Sequence, residues 1–140
     1  MYKNGELVYW QGRAVFDGQK PKYINPEVNK SNVLFKIHYS FDAIVITEYI
    51  LSCIRISKFM SAATPIGTKL STPQAVQLAM YKHVLIWLDP DKAGRAATYS
   101  MGKTLGLLTN VVKLRSKLDP KLLTNTQIKE VLYAAQEQLR

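Results

Sequence analysis

From residue 41 onward, the apolar residues follow two alternating patterns. Runs of mostly apolar residues at 43–47, 84–88 and 111–114, and a brief one at 61–63, are typical of buried strands of a sheet. Between them, apolar residues recur at helical spacing, most clearly from Ala93 to Leu108. Strands that alternate with helices predict an α/β fold with a parallel sheet and right-handed crossovers.

Capping residues predict where two of the helices begin. Ser71 followed by Pro73 offers a hydroxyl cap and then proline at the start of a helix. Thr124 with Gln127 has the spacing of a capping box, and it opens the last predicted helix. Ile50 and the apolar residues after it predict a short helix that follows the first strand in the sequence.

The first 40 residues lack this alternation. Residues 7–10 and 13–16 are short apolar segments on either side of Gln11-Gly12, which predicts a β-hairpin. A polar stretch with proline and asparagine follows at 18–31. We therefore divide the chain into an N-terminal segment, 1–40, and an α/β domain, 41–140.

Composition narrows the class of protein. The 140 residues are 47% apolar and 21% charged, as in one globular domain. Cys53 is the only cysteine, which excludes an internal disulfide, a cysteine-based zinc site and an iron–sulfur cluster. No apolar run reaches the roughly 18 residues of a membrane span, and the N-terminus has no signal-peptide pattern. We expect a cytoplasmic protein without a membrane partner.

The net charge of +9 has two interpretations. It favours a polyanionic partner such as a nucleic acid, and it is equally typical of a solvated surface that keeps a protein soluble.

Three carboxylates follow two of the predicted strands. Glu48 ends the first strand, and Asp89 and Asp91 come directly after the strand at 84–88. Ligands of open parallel sheets bind beyond the carboxyl ends of the strands, so these side chains are expected at one edge. Crowded carboxylates repel one another, and a hard cation such as Mg²⁺ neutralises them through oxygen ligands. The pattern predicts a divalent-metal site.

Each of these residues also has a purely structural interpretation. Asp91 could cap the helix that follows, Asp89 could be a turn residue before proline, and Glu48 could be a solvated carboxylate in the first turn of a helix. Gly94, early in the next helix, allows a ligand or a backbone segment to approach closely.

Three segments together resemble one known family. They are LDPDKAG around Asp89 and Asp91, GRAVFDGQKPKYINPE at 12–27, and SKLDPKLLTNTQIKEVL at 116–132. With Glu48 after an apolar strand, they resemble the Toprim domain of DnaG-type DNA primases and the segment that precedes it. The stretch ITEYILSCIRIS at 46–57 and Ile66-Gly67-Thr68 resemble the phage branch in particular. The resemblance implies a Toprim fold: a parallel sheet of about four strands flanked by helices, preceded by a remnant of the primase basic subdomain at 1–40.

The resemblance also implies an activity. A catalytic domain of this kind is a nucleotidyltransferase that synthesises RNA primers on single-stranded DNA, with Mg²⁺ or Mn²⁺ held by Glu48, Asp89 and Asp91. A Toprim-type nuclease and a non-catalytic module that binds DNA or a helicase are the alternatives. The single cysteine cannot build a primase zinc module. We therefore expect a replicative helicase or a separate zinc-binding module as partner, beside the template and nucleoside triphosphates, in a phage-infected bacterial cell.

Further site residues follow from the matching positions. Lys22 is expected to contact nucleotide phosphates as part of the catalytic site, with Arg13 and Asn25 beside it, and Asp119 to lie near the metal. Tyr49 departs from the family, which commonly has glycine or aspartate there, and its bulk would narrow the site. The expected contacts of nucleic acid or nucleotide are Arg13, Lys22, Tyr23, Asn25, Lys113, Arg115, Lys117 and Lys121, with Trp10 as a further aromatic.

Overall fold

The computed structural model describes residues 1–3 and 5–139, and its N-terminal part forms two short antiparallel strand pairs. Strand β1 (Tyr2–Lys3) pairs with β2 (Glu6–Leu7), and β3 (Gly12–Arg13) pairs with β4 (Tyr23–Ile24). The predicted hairpin between residues 7–10 and 13–16 is therefore wrong. The chain does not turn at Gln11-Gly12. Gly18 lies between β3 and β4 with a φ of 80°, in the left-handed region that glycine adopts readily.

A five-stranded sheet forms the centre of the fold, in the order β5-β7-β6-β8-β9. Its strands are β5 (Phe35–Ile37), β6 (Ala43–Ile46), β7 (Ala62–Thr64), β8 (His83–Ile86) and β9 (Asn110–Lys113). The last four are mutually parallel, which confirms the predicted parallel sheet. The edge strand β5 runs antiparallel to β7, so the sheet includes residues from before position 41.

Four helices flank the sheet: α1 (Ile50–Ile56), α2 (Thr72–Leu78), α3 (Lys92–Leu105) and α4 (Asn125–Leu139). The predicted cap at Ser71 and the predicted capping box at Thr124 are both confirmed, and Ser71 also forms a capping box with Gln74. The Ser71 N–H donates to Gln74 Oε1 at 2.8 Å, and the Thr124 N–H donates to Gln127 Oε1 at 2.9 Å. Within the described ranges, no helix is long and apolar enough to cross a membrane.

Helices cover both faces of the sheet, and successive strand residues point to opposite faces. Ile44, Ile46, Val84 and Ile86 pack with α2 and α3 on one face, and Val45, Leu85 and Trp87 pack with α1 and α4 on the other. This sandwich fixes the carboxyl ends of the parallel strands, where the candidate site lies.

Candidate active site

Neighbouring strands β6 and β8 bring Glu48 and Asp89 to the same edge of the sheet. Ile46 lies opposite Ile86 in the parallel ladder, and the two carboxylates follow these residues by two and three positions. Glu48 is only 7% exposed. Glu48 Oε2 and Asp89 Oδ1 are buried, and neither has a hydrogen-bond partner among the described residues.

The loop after β7 fixes the backbone of Glu48. Thr64 Oγ1 donates to the Glu48 carbonyl at 2.9 Å, and the Gly67 N–H donates to the same oxygen at 3.0 Å. Between them, Ile66 has a φ of 58°, which costs a β-branched residue about 1–3 kcal/mol. Its side chain is buried beside Tyr9 and Val33, and this burial contributes a similar amount of stabilisation, about 1.5–3 kcal/mol.

The start of α3 packs directly on the backbone of Asp89. A Cβ atom placed on Gly94 would overlap the Asp89 carbonyl oxygen and would lie 3.0 Å from its carbonyl carbon. The close approach predicted at Gly94 is thus that of backbone to backbone. Only glycine lets the helix approach Asp89 this closely.

Asp91 caps α3. Its Oδ1 accepts a hydrogen bond of 2.7 Å from the Gly94 N–H, and the residue is exposed. In the part of the chain that the structure describes, no three or more histidine, cysteine or acidic side chains form a group that could hold a metal ion. The structure therefore offers the buried, unpartnered oxygens of Glu48 and Asp89, with Asp91 nearby as a capping residue.

Burial raises the pKa of Asp89. The ammonium of Lys121 opposes this shift, and the neighbouring charges of Glu48 and Asp91 add to it. A buried carboxylate oxygen without a partner destabilises the fold unless a cation or a donor reaches it. Mg²⁺ commonly takes one or two carboxylates and completes its shell with water and substrate phosphates. The free oxygens of Glu48 and Asp89 fit such an open site.

Lys121 lies among the acidic residues. It is part of a 3-10 helix, Pro120–Leu122, and its Nζ is 3.8 Å from Asp89 Oδ2 and pairs with Asp119 Oδ2. The same ammonium is 5.1 Å from the centre of the Tyr49 ring. Asp119 is itself buried and accepts a hydrogen bond of 3.3 Å from Ser52 Oγ. The sequence predicts Lys121 as a phosphate contact, and the structure directs it to carboxylates.

The N-terminal segment reaches the site through an aromatic stack. The rings of Tyr23 and Tyr49 are 5.9 Å apart and nearly parallel. Burial raises the pKa of Tyr49, and the hydrogen bond to Glu48 and the negative charge of that residue raise it further. The Tyr49 hydroxyl therefore stays protonated. Asn25 Oδ1 accepts hydrogen bonds from Tyr9 and Gln11, at 2.9 and 3.0 Å.

Among the predicted basic contacts, Arg13, Lys22, Lys113, Arg115 and Lys117 are exposed. Lys113 ends β9, and its Nζ is 5.4 Å from the centre of the Tyr99 ring. Trp10 is 45% exposed.

A cavity of about 270 Å³ lies next to Asp89 and has two arginines in its wall, Arg95 and Arg115. Arg95 also donates to the Pro90 carbonyl at 2.6 Å, which ties it to the loop between Asp89 and α3. Arg95 is not among the residues predicted from the sequence, although its place one turn after Asp91 is a usable signal. The cavity combines a carboxylate and two guanidinium groups, which suits a phosphate ligand with a divalent cation.

Comparisons with known proteins find a DNA primase and the structures of primase domains. No family model matches the chain. A DNA primase from Legionella pneumophila is 30% identical over 110 residues, which cover 69% of this chain and 19% of that protein. The structure of the Aquifex aeolicus primase, comprising its zinc-binding and RNA polymerase domains, superimposes with a TM-score of 0.72 at 26% identity, over 96% of this chain and 36% of that one. A DnaG catalytic core superimposes with the same TM-score, 0.72, at 22% identity, over 98% of this chain and 50% of that one. The chain thus spans about a fifth of the curated relative and a third to a half of the solved structures.

Proposed function

We propose that this chain, a primase-family domain, is the catalytic Toprim domain of a phage-type DNA primase and synthesises RNA primers on single-stranded DNA. One observation carries the proposal: Glu48 and Asp89 each have a buried, unpartnered carboxylate oxygen, and Asp89 also lines a cavity together with Arg95 and Arg115. In this proposal residues 41–140 are the Toprim domain, and residues 1–40 supply the nucleotide-contacting segment.

Glu48 and Asp89 would hold Mg²⁺ or Mn²⁺, with Asp91 adding negative charge from the cap of α3. An ion held there would supply Lewis-acid polarisation of the phosphoryl group of an incoming nucleotide and would favour the attacking 3′ oxygen. Arg95 and Arg115 bind and orient the triphosphate through paired N–H donors. Thr64 and Gly67 hold the backbone carbonyl of Glu48, which fixes the point from which its carboxylate extends.

Exposed basic residues would bind the template and the nucleotide through phosphates. On the N-terminal segment the cations are Lys22 and Arg13. At the end of β9 and just after it, they are Lys113, Arg115 and Lys117. Four such contacts give a slope of log affinity against log salt of about −3, at roughly −0.7 per contact on single strands. Tyr23 is a platform for base stacking, which contributes about 1–3 kcal/mol per base.

The proposed partners are the template strand, nucleoside triphosphates and either a replicative helicase or a zinc-binding module, in the cytoplasm of a phage-infected bacterium. The solved Aquifex aeolicus primase includes a zinc-binding domain, and this chain matches only 36% of that structure. Template recognition by a separate module is consistent with the single cysteine of this chain.

A second candidate function is a non-catalytic module that binds DNA or a helicase. The observation that favours it is the ammonium of Lys121, which already pairs with Asp119 and approaches Asp89. A cation of the protein's own at this place would lower the affinity for a divalent ion. A Toprim-type nuclease needs the same carboxylates but does not need the N-terminal segment, which makes it the weaker alternative.

Template-dependent dinucleotide synthesis tests the proposal directly. Wild type, Glu48→Gln and Asp89→Asn are assayed with Mn²⁺ or Mg²⁺, with and without the helicase, and Glu130→Gln on the exposed side of α4 is the matched control. Primase activity in wild type and Glu130→Gln that is lost in the other two variants supports the assignment. Cleavage of the template would indicate the nuclease, and binding without synthesis under any condition would indicate the non-catalytic module.

A further inference from the structure

The two carboxylate oxygens of Asp89 differ in their surroundings, because only one of them faces Lys121. Asp89 Oδ2 faces the Lys121 ammonium at 3.8 Å, whereas Asp89 Oδ1 is buried and has no partner among the described residues. Asp119 Oδ2 also pairs with this ammonium. Glu48, Asp89 and Asp119 are referred to as the acidic cluster. Glu48 Oε2, like Asp89 Oδ1, is buried and has no partner among the described residues.

The backbone around Lys121 is fixed from two sides. The Lys121 N–H donates to Asp119 Oδ1 at 3.0 Å, and Asp119 is held in turn by Ser52 of α1. Arg55 of the same helix donates to the Leu123 carbonyl at 2.6 Å and to the Lys121 carbonyl at 3.4 Å. The Lys121 side chain is only 20% exposed. The ammonium is therefore anchored at the acidic cluster and does not extend freely into solvent.

We propose that the Lys121 ammonium is a tethered cation that takes the place of a second divalent ion, so that the site binds a single one. This inference rests on the proposed function, since it assumes that Glu48 and Asp89 hold a divalent cation. Two-metal sites need carboxylate oxygens shared between ions about 3.5–4 Å apart. Here the oxygen of Asp89 that would serve a second ion already faces a positive charge.

The alternative use of Lys121, as a contact of template phosphates, predicts a different geometry. A lysine that contacts phosphates would have an exposed ammonium without a carboxylate partner. Lys117, which precedes Lys121 in the same connection, is exposed in this way. Lys121 instead has two carboxylate partners and an aromatic ring beside it. Its charge therefore neutralises the protein's own acids.

Counting bound Mn²⁺ tests this inference. Isothermal titration calorimetry and the electron paramagnetic resonance signal of free Mn²⁺ give the number of ions per chain up to millimolar concentrations. We expect one ion for wild type and two for Lys121→Ala and Lys121→Gln, with Lys121→Arg restored to one. Lys129→Ala removes a lysine whose ammonium contacts Phe59, behind the opposite end of the sheet, and should leave the count at one. Circular dichroism confirms that each variant is folded.

The outcomes separate the inference from the function on which it rests. If wild type and both Lys121 variants bind one ion, and Glu48→Gln abolishes it, only the role of Lys121 is wrong. Two ions in wild type overturn it as well. If neither wild type nor Lys121→Ala binds Mn²⁺, the metal centre of the proposed function and the role of Lys121 are both wrong.

Discussion

Gly94→Ala should lower the stability of the protein, although alanine is the better helix former. The added Cβ would overlap the carbonyl oxygen of Asp89, and its distances to the carbonyl carbon and the amide nitrogen would be 3.0 and 3.3 Å. These atoms belong to the backbone and have little room to yield, because Leu88 is buried just before them and Arg95 holds the Pro90 carbonyl just after.

Two opposing terms decide the size of the effect. Replacing glycine by alanine inside a helix contributes at most about 1 kcal/mol of stabilisation. Overpacking against a fixed backbone costs about 1–3 kcal/mol and occasionally more, and the overlap with the Asp89 carbonyl lies at the severe end. We expect a net loss of about 2 kcal/mol, which for a domain of this size lowers the Tm by about 8 °C.

Gly102→Ala is the matched control in the same helix. A Cβ at Gly102 would approach the Cε of Lys113 at 2.6 Å, but this atom is near the end of a flexible, exposed side chain that can rotate away. The helix-propensity term should then dominate and raise the Tm by up to about 4 °C. Thermal unfolding followed by circular dichroism measures both variants. A Tm of Gly94→Ala equal to or above that of wild type would refute the close packing of α3 on Asp89.

Two further predictions concern the carboxylates. Asp91→Ala removes the cap on Gly94 and should cost about 0.5–2 kcal/mol in urea unfolding, whereas Asp91→Asn should cost much less; equal losses in both variants would argue against the cap. Because the pKa of Asp89 is raised in the folded protein, the metal-free folded state binds this proton more tightly than the unfolded state does. The free energy of unfolding therefore falls as the pH rises from about 3.9, the pKa in the unfolded chain, through the raised pKa of the folded state. Asp89→Asn should remove that contribution and be more stable than wild type at pH 7 in EDTA; parallel pH profiles of the two proteins would contradict the assignment.

Much of the fold could be predicted from the sequence because its signals are local. Each of the four parallel strands contains a short apolar run, and the caps at Ser71 and Thr124 mark two helix starts. The edge strand β5 was missed because its three residues, Phe35–Ile37, are only partly buried and too few to show a pattern. The pairing of β3 with β4 depends on a turn over a polar segment, which carries no apolar periodicity.

The site was predictable only where topology alone determines it. Residues that directly follow parallel strands must meet at one edge, which places Glu48 and Asp89 together. The position of the Lys121 ammonium depends on a 3-10 helix about 30 residues away from Asp89 and on its anchoring to α1. Such contacts between the ends of long side chains leave no trace in the spacing of a single sequence.

Tyr49 joins the N-terminal segment to the carboxylate site, and its ring, rather than the hydroxyl that faces Glu48, should hold the segment in place. Its stack with Tyr23 and its contact with the Lys121 ammonium contribute about 0.5–1.5 and 0.5–1 kcal/mol. Tyr49→Ala removes both interactions, whereas Tyr49→Phe retains the ring.

Hydrogen exchange of the β3–β4 pair distinguishes these variants. Because β4 contains Tyr23, Tyr49→Ala should increase amide exchange over residues 12–24 by roughly two- to tenfold, in proportion to a lost stacking energy of about 0.5–1.5 kcal/mol. Tyr49→Phe should exchange like wild type, and so should Tyr133→Ala, which removes an exposed ring from α4. Exchange in Tyr49→Ala equal to that of wild type would mean that the stack does not hold the segment. The contacts of Tyr49 at the site would then be those with the Lys121 ammonium and with Glu48.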